Sequence, residues 1–264
     1  MEDAGKTKIG AFEAAEVIRA AKNASLTQEM LREIYFEKLC GQLGDVEQEY
    51  EQLAGAGDPQ AVLNHALLSS VLAIADCKNV LNQKDCKAAS VNGNKALKLI
   101  ESVNDCNMPE VQFPDYLTRE LYRSLGKMYA RCALPDSPHQ GEMLAESASY
   151  FRELGSQRTA EDDFSFASVL YDIDQLGIDQ SDQDKALMVE LFERYVGSED
   201  GEEGARAAYY NLGICYLTGT GCKQDIGKAH DAIERAYALG LRFEAMDELR
   251  GRFKKKLFGG WDFR

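Results

Sequence analysis

The segment 203–240, EGARAAYYNLGICYLTGTGCKQDIGKAHDAIERAYALG, restricts this chain more than any other, because its small, aromatic and glycine residues fall where two packed antiparallel helices need them. Ala208, Leu212 and Tyr216 recur at intervals of four and lay one apolar stripe along a first helix. Gly213 removes a side chain where another helix can press close. Gly219 and Gly221 break the helix, and Asp225 supplies a carboxylate to cap the first N–H groups of a second one. On that second helix Ala229 and Ala236, seven apart, keep one narrow face for close packing until Leu239-Gly240 ends it.

The order Tyr210-Asn211-Leu212-Gly213-x-x-Tyr216-x-x-Gly219-x-Gly221, followed by Asp225, Lys228-Ala229, Ala236 and Gly240, resembles a Sel1-like repeat, a family within the tetratricopeptide class of helical repeats. Two positions depart from the family pattern. Cys222 stands where a valine usually follows the second glycine, and Tyr237 replaces the second alanine of the usual pair, which widens the packing expected there. The resemblance implies an all-α fold, a right-handed α-solenoid of antiparallel helix pairs.

Upstream, Asn94-Lys95-Ala96-Leu97 and Asp184-Lys185-Ala186-Leu187 can be laid beside Gly227-Lys228-Ala229-His230, at separations of 90 and then 43 residues. Leu125-Gly126-Lys127-Met128-Tyr129 repeats the spacing of Leu212-Gly213-Ile214-Cys215-Tyr216 at a distance of 87. A drifting period near 43 fits a helical-repeat array with inserts of varying length. Degenerate copies are expected over 63–103, 117–155 and 163–197, before the typed copy at 205–240. The expected organisation is an amino-terminal helical region over 1–104, a repeat array over 117–241, and a capping helix with an aromatic tail over 242–264. Asp105 to Tyr116, with two prolines and little periodicity, reads as the boundary, either a rigid elbow or a flexible linker.

Towards the amino end, FEAAEVIRAAKN (12–23) and QEMLREIYFEKLC (28–40) read as a helical hairpin, with Ser25 or Thr27 placed to cap the second helix. Residues 59–81 read as a long helix apolar on more than one face, hence buried between neighbours on both sides. Leu134 to Gln140 and the acidic 198–204 read as solvated loops. The tail from Arg242 reads as one more helix, EAMDELRGRFKKKLF, covering the apolar edge of the last repeat. No strand is expected.

Charge narrows the partners. Lys and Arg number 30 against 44 Asp and Glu, a net of −14, which repels phosphate backbones, so no nucleic-acid partner is expected. The first residues carry acidic groups beside lysines and no apolar core, so neither a signal peptide nor membrane insertion is expected. The expected location is cytoplasmic, or the cytosol of another cell reached without a classical signal peptide. Seven cysteines and no leader favour reduced thiols over a disulfide framework. Some secreted Sel1-like proteins carry disulfides within each repeat, and Cys215-x6-Cys222 and Cys77-x8-Cys86 have spacings open to that alternative.

No chemistry-bearing constellation stands out. There is no Cys-x-x-Cys or His-x-x-x-His pair, and the only histidines are His65, His139 and His230, so no metal is expected. Gly5-Lys6-Thr7 is similar to the end of a phosphate loop but lacks room for its preceding strand, and it reads as a terminus. The acidic clusters Glu161-Asp162-Asp163 and Glu202-Glu203 sit at helix starts, where they favour the helix dipole. Tyr129, Tyr171, Phe192, Tyr195, Tyr216 and Tyr237 fall on apolar faces and read as core.

The expected function is therefore that of a non-enzymatic scaffold or adaptor, without a cofactor, holding a peptide or helix of a partner protein in a concave groove. The acidic balance implies a partner segment that is basic or mixed in charge. First helices line the concave surface in the resembled family, which makes Tyr122, Lys127, Tyr209, Tyr210 and Ile214 candidates for partner contact. Trp261 joins them from the tail, where Gly259-Gly260 lets the chain fold back into the groove or against the last helices; a frayed end is the alternative. Rival readings are an effector or regulatory subunit modulating a partner enzyme, or a β-lactam-binding or hydrolytic enzyme of the Sel1-like kind. The second lacks a convincing Ser-x-x-Lys nucleophile.

Overall fold

Five helices in this chain begin where a side chain accepts from their first N–H groups. In the computed structural model, Thr27 Oγ1 accepts from Met30 N, and Asp58 accepts from Gln60 N and Ala61 N with Pro59 in the first turn. Thr159 and Asp162 close a reciprocal capping box, Ser181 accepts from Asp184 N, and Asp225 accepts from Lys228 N. The structure describes residues 14–39, 42–80, 83–105, 112–135, 137–198, 202–257 and 259–264. Gly5-Lys6-Thr7, Cys40, Cys106, Phe258 and much of the stretches 105–116 and 198–204 lie outside the described residues.

Among the described residues there are twelve α-helices and one two-stranded sheet. They are α1 (14–22), α2 (Gln28–Leu39), α3 (Gln42–Gly55), α4 (Pro59–Lys78), α5 (Gln83–Asp105), α6 (Asp115–Cys132), α7 (Gln140–Glu153), α8 (Ala160–Gln175), α9 (Asp182–Val196), α10 (Glu202–Thr218), α11 (Ile226–Ala238) and α12 (Glu244–Gly251). Strands β1 (Phe253–Lys255) and β2 (Trp261–Phe263) follow. The chain divides into two compact units, Met1–Leu134 and Pro135–Arg264.

In the amino-terminal unit α4 packs on α2, α3, α5 and α6. Fifteen of its 20 residues are buried, among them Leu67, Leu68, Val71 and Ile74 at 0% exposure. Each such side chain contributes roughly 1.5–3 kcal/mol by leaving water. By length and composition α4 could cross a membrane, but here it is enclosed by other helices. Asp76, near its end, is paired with Lys38 and accepts from Asn92 Nδ2 at 2.7 Å, tying α2 and α5 to the hub.

A disulfide joins Cys86 of α5 to Cys132 of α6, with Cα atoms 6.4 Å apart and 46 residues between them in sequence. This corrects the expectation that every cysteine is reduced. The packing of α5 on α6 brings the two sulfurs together, and neither of the short spacings noted in the sequence is bridged. Cys77, Cys215 and Cys222 are free thiols.

In the carboxyl-terminal unit helices pack chiefly on their neighbours in chain order, α7 on α8, α8 on α9, α9 on α10 and α10 on α11. This pairing of adjacent helices is compatible with a helical repeat. Phe151 stacks on Phe166 at 5.8 Å and Phe164 on Tyr195 at 4.8 Å. Asp163, 3% exposed, is satisfied by Arg158 Nε at 3.1 Å and by two bonds of 2.6 Å from Arg194, a geometry suited to a guanidinium fork. Ala208, Leu212 and Tyr216 of α10 and Ala229 and Ala236 of α11 are buried. A Cβ on Gly213 would lie 2.6 Å from Ile233 Cδ1, so glycine is what allows α10 and α11 this approach.

The tail departs from the expected single helix. α12 ends at Gly251, and β1 pairs antiparallel with β2 in the register Phe253 to Phe263 and Lys255 to Trp261. The physical reason is a reversal at Gly259 and Gly260, with φ of 92° and 80°, which lets Phe253 bury itself against Phe263 at 5.0 Å. Arg250 donates two bonds of 2.7 Å to Glu234, fastening α12 to α11.

Candidate functional site

A concavity of about 730 Å³ in the carboxyl-terminal unit lies where α9, the 219–225 loop, the start of α11 and the hairpin meet. Its walls are built from short-range devices. Gly221 has φ of +71°, and a Cβ there would come 2.0 Å from the Lys185 carbonyl oxygen, so only glycine lets this loop cross the start of α9. The loop then returns to the helix with Asp225 N donating to Tyr216 O at 2.9 Å, and Asp225 caps α11. That route presents Cys222, Lys223 and Lys228 to the cleft, opposite Glu190 and Glu193, three apart on the exposed face of α9.

Two aromatic rings complete it. Tyr216 Oη donates to Glu193 Oε1 at 2.5 Å, and Lys228 Nζ stands 5.0 Å from the centre of the same ring. Burial raises the phenol pKa above its ordinary value, and donation to the Glu193 carboxylate raises it further by favouring the protonated form. The indole of Trp261 stacks on the imidazole of His230 from α11 at 3.5 Å and 16°, and Lys256 of the hairpin stands at the rim. Of the two folded-back placements considered for the tail, Trp261 lies against the last helices, on α11.

The cleft therefore carries both signs of charge around aromatic surface. Burial pushes the Cys222 thiol above its ordinary pKa and Glu193 adds to this, while burial takes Cys215 up to about 12, so both stay protonated at neutral pH and are poor nucleophiles. Among the described residues no group of three or more His, Cys, Asp or Glu is placed to hold a metal ion.

Of the six residues expected to contact a partner, Trp261 alone lines this cleft, beside Tyr216, Gly221, Cys222, Asp225 and Lys228 of the repeat motif. Tyr209, Tyr210 and Ile214 are half-buried on α10, where Tyr210 meets Phe243 edge-to-face at 5.4 Å. Tyr122 and Lys127 are half-buried on α6 in the amino-terminal unit. Sequence reasoning missed Glu190, Glu193 and Lys223, and gave Lys228 a place in the repeat pattern but no role in a site. The signal that was present is the Lys254-Lys255-Lys256 run beside the only tryptophan, which an acidic chain has no need of for solubility alone. No family model, no curated protein and no solved structure matches this chain.

Proposed function

We propose that the chain is a non-enzymatic adaptor whose adjacent helix pairs are Sel1-like repeats of a right-handed solenoid, and that the cleft beside Trp261 holds an extended segment of a partner protein. Support for the repeat reading comes from the Gly213–Ile233 approach, the buried Ala229 and Ala236, and the Asp225 cap, all at the positions that carry the resemblance. The observation that carries the function is the cleft itself. An acidic wall of Glu190 and Glu193 faces Lys223, Lys228 and Lys256 across Tyr216 and Trp261, which suits a peptide of mixed charge with an apolar or aromatic anchor. Such a segment binds through screened rim charges and weakens as salt rises.

The test is affinity capture from a native lysate with the wild-type chain and with a variant carrying Lys223→Glu and Lys256→Glu. Both lysines are exposed, so the fold survives the change. One or more proteins held by wild type, released by salt and lost from the variant, support the proposal. Captured proteins indifferent to the charge reversal and to Trp261→Ala count against the cleft as the site.

A further inference from the structure

The amino-terminal unit contains a separate cavity of about 420 Å³, within the size range of small-ligand sites, between the α1–α2 turn, the end of α4 and the first half of α6. Its apolar wall is formed by the half-buried Leu26 and Tyr116, over the buried Leu31 and Ile74. Its rim is basic. Lys78, Arg119 and Arg123 stand there against one carboxylate, Glu120, so the local charge is three minus one, +2, on a chain of −14.

The single carboxylate is already committed. Glu120 accepts from Lys78 Nζ at 2.7 Å and from Arg123 Nη1 at 2.6 Å, one bond on each oxygen. Arg119 is half-buried on the same rim and has no ion-pair or hydrogen-bond partner among the described residues. A guanidinium partly withdrawn from water without a counter-charge is costly, and a bound carboxylate, which matches its fork, removes that cost. The turn forming the rim is fixed in shape. Ala24 is the one non-glycine described residue with positive φ, at 52°, and Tyr116 Oη donates to Ala21 O beside it.

From this arrangement we infer that the cavity binds a small aliphatic carboxylic acid, its carboxylate on Arg119 and its chain along Leu26 and Tyr116. One feature selects this class. The apolar wall beside the guanidinium requires a hydrocarbon body, which a bare anion lacks. The site is independent of the cleft proposed for partner proteins and stands or falls separately.

Titration calorimetry on the full chain tests it, with hexanoate as the probe and hexanamide, acetate and inorganic phosphate as comparisons. Hexanoate is expected to bind at least about tenfold more tightly than any of the three, since a charge-assisted hydrogen bond carries about that factor or more. Arg119→Gln should weaken hexanoate by about tenfold or more, and Arg119→Lys should restore part of it. Equal binding of hexanamide makes the cavity merely apolar and overturns the inference, as does tighter binding of phosphate or acetate. Wild-type affinity in Arg119→Gln, or no hexanoate binding at all, overturns it too. If Arg119→Gln fails to fold, the comparison among the four probes on the wild-type chain decides.

Discussion

The two units bury their helices in different ways. In the amino-terminal unit one helix, α4, is a hub touched by α2, α3, α5 and α6, whereas in the carboxyl-terminal unit each helix mainly meets the ones before and after it in the chain. A hub must be apolar nearly all round, so it loses the one-sided periodicity that marks a repeat. A helix stacked between sequence neighbours needs only narrow faces, and close approach there is bought with glycine and alanine at fixed spacing. α11 buries Ala229, Ala232, Ile233 and Ala236 only.

The largest expected effect follows from a covalent difference. Among the described residues the disulfide, Cys86–Cys132, lies in the hub unit. Closing a loop of 46 residues restricts the unfolded chain, so reduction should cost that unit about 2–4 kcal/mol. Hydrogen exchange with and without reductant checks this. Peptides from α5 and α6 should lose protection while those from α10 and α11 keep theirs, and equal loss in both would erase the contrast.

Next in size is Gly213→Leu. With Ile233 Cδ1 2.6 Å and the Ala229 carbonyl oxygen 3.4 Å from the added Cβ, the α10–α11 pair must move apart, at about 2 kcal/mol. The urea midpoint of the carboxyl-terminal unit should fall while the hub unit keeps its own. An unchanged midpoint means the close approach does not hold these helices together.

The smallest effect concerns acid. His65 on α4 is 2% exposed, neither ring nitrogen has a hydrogen-bond partner, and Glu47 Oε1 lies 3.9 Å from Nε2. Burial first, and then Lys95, hold its pKa below the ordinary 6.5, against the opposing pull of Glu47 and Glu51. Its folded value is depressed, so the unfolded chain takes the proton first, and the stability present above pH 6.5 is lost as pH falls through the folded value. Glu47 adds a loss at lower pH. Burial opposes its ionisation, but hydrogen bonds from Ser69 and Lys95 outweigh this and take its carboxyl below 4.5. Melting temperatures between pH 7 and 5 should therefore decline in the hub unit, and His65→Leu should flatten that decline; a slope indifferent to the substitution removes His65 as its cause.

What could be read from the sequence was local. Asp225, Gly213 and the alanines of α11 announce their roles because each acts within one helix pair, and the burial of α4 on several sides follows from its composition. Long-range pairings were not legible. Cys86 meets Cys132 only through the packing of two helices, and Lys256 reaches the same cleft as Glu193 only after the chain has turned at Gly259 and Gly260. The triple lysine also reads as a helix surface, and nothing local says that Phe253 will pair with Phe263 in a sheet. Of the residues expected to meet a partner only Trp261 lines the candidate cleft, while Tyr216, Gly221, Asp225 and Lys228 stood out in the sequence for their part in the repeat pattern.

The stacking of Trp261 on His230 has an optical consequence. The chain has one indole, and it sits half-buried on α11, so ultraviolet emission excited at the red edge reports on the carboxyl-terminal unit and is blind to the hub. Circular dichroism sees the helices of both units. Melting curves recorded by the two methods therefore separate the units without any label, and a peptide that entered the cleft would announce itself as a change in the colour of one residue.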